Sequence, residues 1–396
     1  MKKQHKLLVI AYHYPPITVS VNRTYNLTRH LTKMGWEITI FSAKRGKNMP
    51  FYDPVLKIHK EIKVIRKTAK ENLKTRILNK LWIIPGGTVW NPYPEIEEYV
   101  KKERPDLIYV SIRPAGSIFI AYKIYKKYGI PYVLDYRDPY RCPLIFKKLE
   151  KKAVDNAAAV ITVTSGFAET LKRWFGRKIT VIEHGIANDL ISKIKKDRTN
   201  RHFPQYLTIG YIGSTSQDYN IDKLITATSK SIYKNKIFVK LVGGVGLNPF
   251  SRIYYKKLRK LAQFKKVRCK FLKFKPYFEA LTIINSCDIT FSGSAYSKPS
   301  AIAGKFYDYV GLEKPILLLT KPGTEIERKV RDNRIGLVAY TVDQLKENIE
   351  KMRENQKLIK EISENCKILG KKYDWKNRAY ELNKLLRQIV DKTKKL

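Results

Sequence analysis

Short runs of apolar, often β-branched residues alternate with helix-like patterns along the whole of this 396-residue chain. Continuous apolar runs of about 4–8 residues are typical of strands that are buried on both faces, as in parallel sheets covered by helices. We therefore predict an α/β fold in which parallel strands are joined by crossover helices. The predicted strands of the first half cover residues 7–11, 37–42, 107–111, 132–136, 160–164 and 179–183.

The pattern is interrupted once and then starts again. A polar, charged stretch at residues 192–205 suggests a boundary between a domain at 1–192 and a domain at 205–372. A final helix is predicted at 373–396, where Trp375 is a large apolar anchor in a polar neighbourhood. Each domain is expected to be a doubly wound sheet that binds its ligand at the carboxyl ends of the strands. The predicted strands of the second half cover residues 207–212, 238–242, 268–271, 289–291, 316–319 and 336–338.

The charge of the chain is strongly positive. There are 79 Lys or Arg against 35 Asp or Glu, so the formal net charge is +44 at pH 7. A hydrophobic content of 43% is enough for packed cores, so we do not predict disorder. The charge predicts an anionic partner, such as nucleic acid, acidic lipid or a phosphorylated small molecule, without choosing among them.

Targeting and redox signals point to the cytoplasm. No apolar run approaches the roughly 18 residues of a membrane-spanning helix. The start of the chain runs directly into a predicted strand and does not look like a secretory leader. The four cysteines lie far apart, so we expect neither a disulfide framework nor a cysteine-based metal site.

Polar motifs follow three strands of the first half. The segment from Tyr14 and Pro16 to Arg23 predicts a strand-to-helix turn that meets a phosphate, or an ordinary loop stiffened by prolines. Arg137 and Asp138 end another strand, where they could orient a hydroxyl or form a closed salt-bridge network. His184 ends the last strand of this half in the same manner, as a candidate catalytic group or a structural histidine.

Glycine-rich segments end two strands of the second half. Gly213, Ser214 and Gly243 lie where a backbone could approach a ligand closely, although neither segment matches a GxGxxG or Walker pattern.

A basic motif opens a helix further along the second half. Lys298, Gly304 and Lys305 would offer positive charge and a helix N-terminus to a diphosphate, and Asp308 could accept hydrogen bonds from ribose hydroxyls. The alternative is a helix cap with a salt bridge.

Residues 60–84 carry an apolar stripe surrounded by basic residues. The spacing predicts a basic amphipathic helix that lies on a membrane surface, or a solvated helix that packs its stripe inward. The residues we expect to contact an anionic membrane are Lys67, Lys70, Lys74 and Trp82.

Five motifs occur in order: Tyr14-Pro-Pro…Arg23, Asp135-Tyr-Arg-Asp-Pro-Tyr, Ile182-Glu-His-Gly, Tyr211-Ile-Gly and Gly304-Lys-Phe-Tyr-Asp-Tyr…Lys314-Pro-Ile-Leu. This ordered set resembles the GT-B glycosyltransferases of family 4 over nearly the whole chain. Asp308 aligns with the second acid of the family's Glu-x7-Glu element, and Ser300 stands at the first.

The resemblance implies two Rossmann-like domains that face a cleft, with a C-terminal helix that crosses back to the first domain. It implies a nucleotide-sugar donor held mainly by the second domain, an acceptor on the side of the first, retention at the anomeric carbon, and no metal or other cofactor. The motifs look most like those of exopolysaccharide or lipid-linked glycan enzymes, which places the protein at the inner membrane face. The alternative is a non-catalytic basic protein on the same scaffold that binds anionic glycan or nucleic acid, although no nucleic-acid module motif is present.

Overall fold

The computed structural model describes residues 5–15, 22–44, 57–68, 90–112, 114–142, 144–196, 205–244, 249–294 and 299–395. The chain forms two compact units. One unit comprises Met1–His184 together with Trp375–Leu396, and the other comprises Gly185–Asp374.

The first unit is built on a parallel sheet. Its described strands are β1 (His5–Ala11), β2 (Trp36–Ala43), β3 (Ile62–Lys67), β4 (Leu107–Ser111), β5 (Tyr132–Tyr136), β6 (Ala159–Thr162) and β7 (Thr180–Val181). They pair in the order β3-β2-β1-β4-β5-β6-β7, and each neighbouring pair is parallel. The central strands are fully buried, which explains their continuous apolar sequences.

The described helices of this unit join successive strands, except for the last one. They are α1 (Asn22–Thr32), α2 (Tyr93–Glu103), α3 (Gly116–Tyr128), α4 (Lys147–Asp155), α5 (Ser165–Phe175) and, from the end of the chain, α14 (Trp375–Thr393). Local sequence sets their ends: the Thr164 hydroxyl accepts a hydrogen bond from the Phe167 N–H at the start of α5, and Gly176 ends that helix with φ 69°.

The second unit repeats the architecture with six described strands. These are β8 (Leu207–Ser214), β9 (Ile237–Gly244), β10 (Cys269–Leu272), β11 (Ile289–Gly293), β12 (Ile316–Leu319) and β13 (Gly336–Ala339). Their order is β10-β9-β8-β11-β12-β13, again with parallel pairs. Its described helices are α6 (Asn188–Lys196), α7 (Ile221–Lys230), α8 (Pro249–Phe264), α9 (Tyr277–Asn285), α10 (Gly304–Gly311), α11 (Glu325–Asp332), α12 (Val342–Glu354) and α13 (Gln356–Lys372).

The predicted α/β fold is confirmed, and each predicted strand matches an observed one to within two residues at either end. The predicted return of the final helix is also confirmed. The indole N–H of Trp36 donates to Asn383 Oδ1 at 2.7 Å, and Arg387 donates to the Met34 carbonyl at 2.8 Å. Trp375 is buried at the start of α14, as expected of an anchor.

The division between the units differs from the predicted one. The units separate at His184 and Gly185 instead of within residues 192–205. Residues 188–196 form α6 of the second unit, because the polar face of this amphipathic helix resembles a linker in the sequence.

The helix predicted at residues 60–84 is wrong in its first part. Residues 62–67 form β3, an edge strand paired with β2. Lys67 ends this strand, and its Nζ lies 3.2 Å from Glu95 Oε1. Edge strands commonly carry lysine. In the sequence, the basic residues of this edge strand resemble the polar face of an amphipathic helix. Lys70, Lys74 and Trp82 lie outside the described residues.

Candidate functional site

In each sheet, the chain adds strands first toward one edge and then, after a single reversal, toward the other edge. The reversal lies between β1 and β4 in the first unit and between β8 and β11 in the second. Open α/β sheets bind ligands at the carboxyl ends of the strands near such a point. Each unit therefore has its own candidate ligand edge.

A buried ionic cluster lies at the edge of the first unit. Arg23, in the first turn of α1, is 1% exposed, and its Nε donates to Asp135 Oδ2 at 2.7 Å. Its Nη1 donates to the carbonyl oxygens of Ile182 and Glu183 at 2.8 and 3.1 Å. The Tyr109 hydroxyl also donates to Asp135 Oδ2. Burial acts to lower the pKa of Arg23, but Asp135 outweighs it and the pKa is raised, so this guanidinium is charged and paired.

This placement changes the roles assigned to two predicted phosphate-side residues. Arg23 ties α1 to the ends of β5 and β7 through its buried hydrogen bonds. Tyr14 is fully buried, and its hydroxyl shares a 2.9 Å hydrogen bond with Thr28 Oγ1. Both side chains therefore have a structural role in place of the phosphate contact expected from the sequence. Pro16 lies outside the described residues.

Four further polar side chains follow strands of the same sheet. His13 follows β1, Arg137 and Asp138 follow β5, and His184 follows β7. The Arg137 Nη2 donates to the Ile112 carbonyl at 3.3 Å, and burial lowers the pKa of Arg137 from its ordinary value. Asp138 is partly exposed next to it.

The two histidines are neutral at pH 7. Burial, reinforced by the charge of Arg137, lowers the pKa of His13 to about 4. Burial, with the charges of Arg23 and Arg137, lowers the pKa of His184 to about 3. The His184 ring also packs edge-on against Trp375, with 6.0 Å between the ring centroids. Such an imidazole is a weak base at pH 7 and is better suited to a hydrogen bond with a ligand.

The amino group of Lys305 lies at the edge of the second unit without a counter-ion among the described residues. The Lys305 Nζ is 4.0 Å from the ring centroid of Tyr211 and 3.9 Å from that of Tyr219. It is buried and has no hydrogen-bond partner among the residues that the structure describes. Burial lowers the pKa of Lys305 well below its usual value. We call Lys305, Tyr211 and Tyr219 the lysine cage. Its rings can stabilise the protonated form of Lys305, and none of the described side chains supplies an anion to it.

Glycine backbone leaves room beside the lysine cage. Gly213 and Gly243 have φ of +131° and +142°, a region that favours glycine. A Cβ on Gly243 would lie 1.9 Å from the Gly213 carbonyl oxygen, so the close approach of β8 and β9 requires this glycine. A Cβ on Gly213 would lie 3.7 Å from the Lys305 Nζ. Ser214 is exposed next to it at the end of β8.

The start of α10 lies at the same edge. Gly304 is its first residue, and no side chain caps the helix at Ala303. The first N–H groups of an α-helix lack intrahelical partners and carry partial positive charge. The helix terminus and Lys305 thus both favour a negatively charged ligand. Lys298 lies outside the described residues.

Asp308 lies one turn into α10, as predicted. The Tyr277 hydroxyl donates to its Oδ1. Burial raises the pKa of Asp308 to about 7, and this effect exceeds the opposing one of the Tyr277 hydrogen bond. The Ile212 N–H donates to the Tyr309 hydroxyl oxygen at 3.0 Å, which fixes α10 against β8.

Sequence reasoning missed four side chains at these edges: His13, Tyr211, Tyr219 and Tyr277. His13 directly precedes the first quoted motif and Tyr211 begins another, and their position at or near a strand end could have marked them as candidates for the site. Tyr219 and Tyr277 had no sequence signal, because they approach Lys305 and Asp308 only through the fold.

None of the described helices is long and apolar enough to cross a membrane. Within the described ranges, no three His, Cys, Asp or Glu side chains come together as a metal site.

Two parallel, doubly wound sheets with ligand edges of this kind define a GT-B protein. The family model described as Glycosyltransferase Family 4 matches residues 20–190, and that described as Glycosyl transferases group 1 matches residues 192–369. The chain therefore belongs to the family 4, group 1 glycosyltransferases, as the motif order predicted, and it is an enzyme of sugar transfer.

Solved structures of low sequence identity share the fold. Sucrose-phosphate synthase from Thermosynechococcus elongatus matches with a TM-score of 0.76 at 15% identity, covering 98% of this chain and 100% of that chain. Anabaena HepE in complex with UDP matches with a TM-score of 0.73 at 17% identity, covering 97% of this chain and 100% of that chain. A glycosyltransferase from Rickettsia africae matches with a TM-score of 0.72 at 17% identity, covering 98% of this chain and 99% of that chain. No curated protein matches the chain in sequence.

Proposed function

We propose that this protein is a retaining, metal-independent glycosyltransferase. It moves a sugar from a nucleotide-sugar donor to a lipid-linked or polysaccharide acceptor at the cytoplasmic membrane face. The observation that carries the proposal is the lysine cage, whose buried Lys305 Nζ has no hydrogen-bond partner among the described residues.

The lysine cage matches the chemistry of the leaving group. When the bond to the sugar breaks, negative charge develops on the nucleoside diphosphate and positive charge on the anomeric carbon. A fixed ammonium in a site of low polarity stabilises that anion without reorganisation during the reaction. Lys305 and the N-terminus of α10 together supply this positive charge, which is the role that a metal ion would otherwise have.

Asp308 is proposed to hold the nucleotide ribose. Its carboxyl group lies one turn from Lys305 on α10, at a spacing that suits a sugar attached to the diphosphate. Tyr277 fixes one carboxyl oxygen, so the other can accept from a ribose hydroxyl. That HepE was solved with UDP and with UDP-glucose supports a nucleotide-sugar donor for this related chain.

The first unit is proposed to supply the groups that act on the acceptor and the transferred sugar. Asp138 is the accessible carboxylate of the set and can orient an acceptor hydroxyl. The neutral imidazole of His184 can hydrogen-bond a sugar hydroxyl without adding positive charge beside an oxocarbenium-like transition state. Arg137 is held by the Ile112 carbonyl next to Asp138.

The membrane location rests on the charge of the chain. A net charge of +44 supports attraction to an anionic leaflet, where a lipid-linked acceptor would be found. The protein would then be cytoplasmic and peripheral at the inner face.

A panel of UDP-, GDP- and ADP-sugars tests the proposed activity. A donor at 100 times its Kd should stabilise the fold by about 2.7 kcal/mol, which a thermal-shift screen detects. The stabilising donor should also be hydrolysed slowly in the absence of acceptor. Stabilisation without any hydrolysis or transfer would favour the non-catalytic binding protein, and no stabilisation by any nucleotide sugar would contradict the donor site.

A further inference from the structure

A long segment at one edge of the second unit is basic and contains no acidic residue. Between Asp222 and Glu279 the sequence has 16 Lys or Arg and no Asp or Glu. This segment includes most of α7, all of α8, and the strands β9 and β10. The two outermost strands on this side of the sheet are β9 and β10, so the charge is concentrated at a sheet edge.

The helix α8 has two distinct faces. One face packs inward through Tyr254, Leu258 and Ala262, which are buried in the core of the second unit. The other face is exposed to solvent. Each of its members has another member three or four residues away, so they lie along one side of the helix. This exposed face, called the α8 face below, consists of Ile253, Lys256, Lys257, Lys260 and Phe264.

Two large apolar side chains lie at the ends of the α8 face. Ile253 is 65% exposed and Phe264 is 83% exposed. They are 11 residues apart, which at 1.5 Å per residue places them about 16 Å from one another along the helix. Three exposed lysines lie between them, and none of these forms an ion pair within the part of the chain that the structure describes.

We propose that the α8 face binds the surface of an anionic lipid bilayer. An interfacial helix inserts apolar side chains just below the headgroups while its lysines contact the lipid phosphates, and the α8 face offers both. The lysine stems can also cover apolar surface while their ammonium groups remain with the headgroups.

The two exposed apolar residues favour a membrane over a nucleic acid. A phosphate backbone in water attracts the lysines equally well but gains little from Ile253 or Phe264. A bilayer favours both kinds of side chain, since it also buries the apolar ones away from water. The surface goes beyond the proposed function, which places the protein at a membrane face without assigning a surface of the second unit to the lipid.

Vesicle co-sedimentation tests the proposal. The full chain is mixed with phosphatidylcholine vesicles that contain about 30% phosphatidylglycerol, at salt concentrations between about 0.1 and 1 M. At about 1 kcal/mol for each basic residue, the triple variant Lys256→Gln/Lys257→Gln/Lys260→Gln should bind about a hundredfold more weakly at low salt. The double variant Ile253→Ser/Phe264→Ser should bind at least tenfold more weakly at every salt concentration.

The control variant carries the same loss of charge elsewhere in the second unit. Lys351→Gln/Lys357→Gln/Lys360→Gln changes three exposed lysines of α12 and α13 and should reduce binding far less than the α8 triple variant. Equal weakening by the two triple variants would overturn the proposal, as would unchanged binding of the Ile253→Ser/Phe264→Ser variant. If the Ile253→Ser/Phe264→Ser variant lost binding to a short RNA but still bound vesicles, this result would also overturn the proposal and favour a nucleic-acid surface.

The test is independent of catalysis. Vesicle binding needs no donor, and each α8 variant should retain the thermal stabilisation by nucleotide sugar that the unchanged protein shows. A protein that binds vesicles through the α8 face but does not hydrolyse any donor would support this surface and contradict the proposed activity.

Discussion

Two buried cations, Arg23 in the first unit and Lys305 in the second, differ in their partners. Arg23 donates to a carboxylate and two carbonyl oxygens, so its charge is compensated inside the fold. Among the residues that the structure describes, Lys305 contacts the faces of two aromatic rings and no hydrogen-bond partner, and burial lowers its pKa well below the usual value. A paired buried cation holds a fold together, whereas an unpaired one is a cost of folding that a ligand can offset.

The difference explains why similar sequence signals have different roles. Both residues lie in the first turn of a helix that follows a strand, and both were candidates for a phosphate. The deciding feature is Asp135, which lies 112 positions from Arg23 and pairs with it, whereas no described carboxylate forms an ion pair with Lys305.

The largest expected effect comes from removing the paired cation. Arg23→Met leaves Asp135 buried without its partner and should destabilise the first unit by about 3–5 kcal/mol in urea unfolding. Lys151→Met is the matched control, because it breaks the exposed Lys151–Asp155 pair and should cost less than about 1 kcal/mol. Equal effects of the two variants would show that the Arg23 cluster is not structural.

Substitution at the accessible carboxylate should reduce turnover with little effect on folding. If Asp138 orients an acceptor hydroxyl, Asp138→Asn should lower kcat about a hundredfold, since misplacement of a reacting group has effects of that size. Its melting temperature and donor affinity should remain those of the unchanged protein. A variant that unfolds instead would place Asp138 in a structural salt-bridge network with Arg137.

Loss of the unpaired cation should weaken the donor and leave the fold intact. Lys305→Met should reduce the affinity for the nucleoside diphosphate by about 1.5–3 kcal/mol, the usual range for a charged hydrogen bond. Stability in urea should stay the same or rise, in contrast to Arg23→Met, because no partner is left behind. Titration calorimetry with UDP, GDP and ADP measures the affinity, and Lys351→Met is an exposed control.

The smallest expected effect concerns Asp308. Its pKa is about 7 in the folded chain and near 4 when unfolded, so between these values the folded state holds more protons. Stability therefore falls as the pH rises from about 4 to 7. Asp308→Asn should raise the melting temperature at pH 8, by about 2–4 °C for each kcal/mol of burial cost that it removes in a domain of this size, and leave it unchanged near pH 4. A lower melting temperature at both pH values would contradict the assigned cost of burial.

Most of the fold could be predicted from the sequence because fully buried parallel strands have continuous apolar runs. The exception is β3, where Lys63, Arg66 and Lys67 on an edge strand resemble the polar face of a basic helix. Of the candidate site, the positions of Lys305 and Asp308 on α10 were predictable from the local motif. Their surroundings were not, because Tyr219 and Tyr277 reach them through tertiary packing that no short pattern encodes.

The central claim is that the amino group of Lys305 binds the anionic diphosphate of the donor. Because burial lowers the pKa of Lys305 in the free protein, an anion bound beside it must raise that pKa again. Above the lowered pKa, binding should take up as much as one proton, and affinity should fall by up to tenfold for each unit of rising pH.

Calorimetry of nucleoside diphosphate binding in buffers with different ionisation enthalpies measures this proton directly, between about pH 7 and 9. Uptake of protons by the unchanged protein, absent in Lys305→Met, is the predicted result. Equal proton uptake in the two proteins, or none in either at any pH of that range, would contradict it.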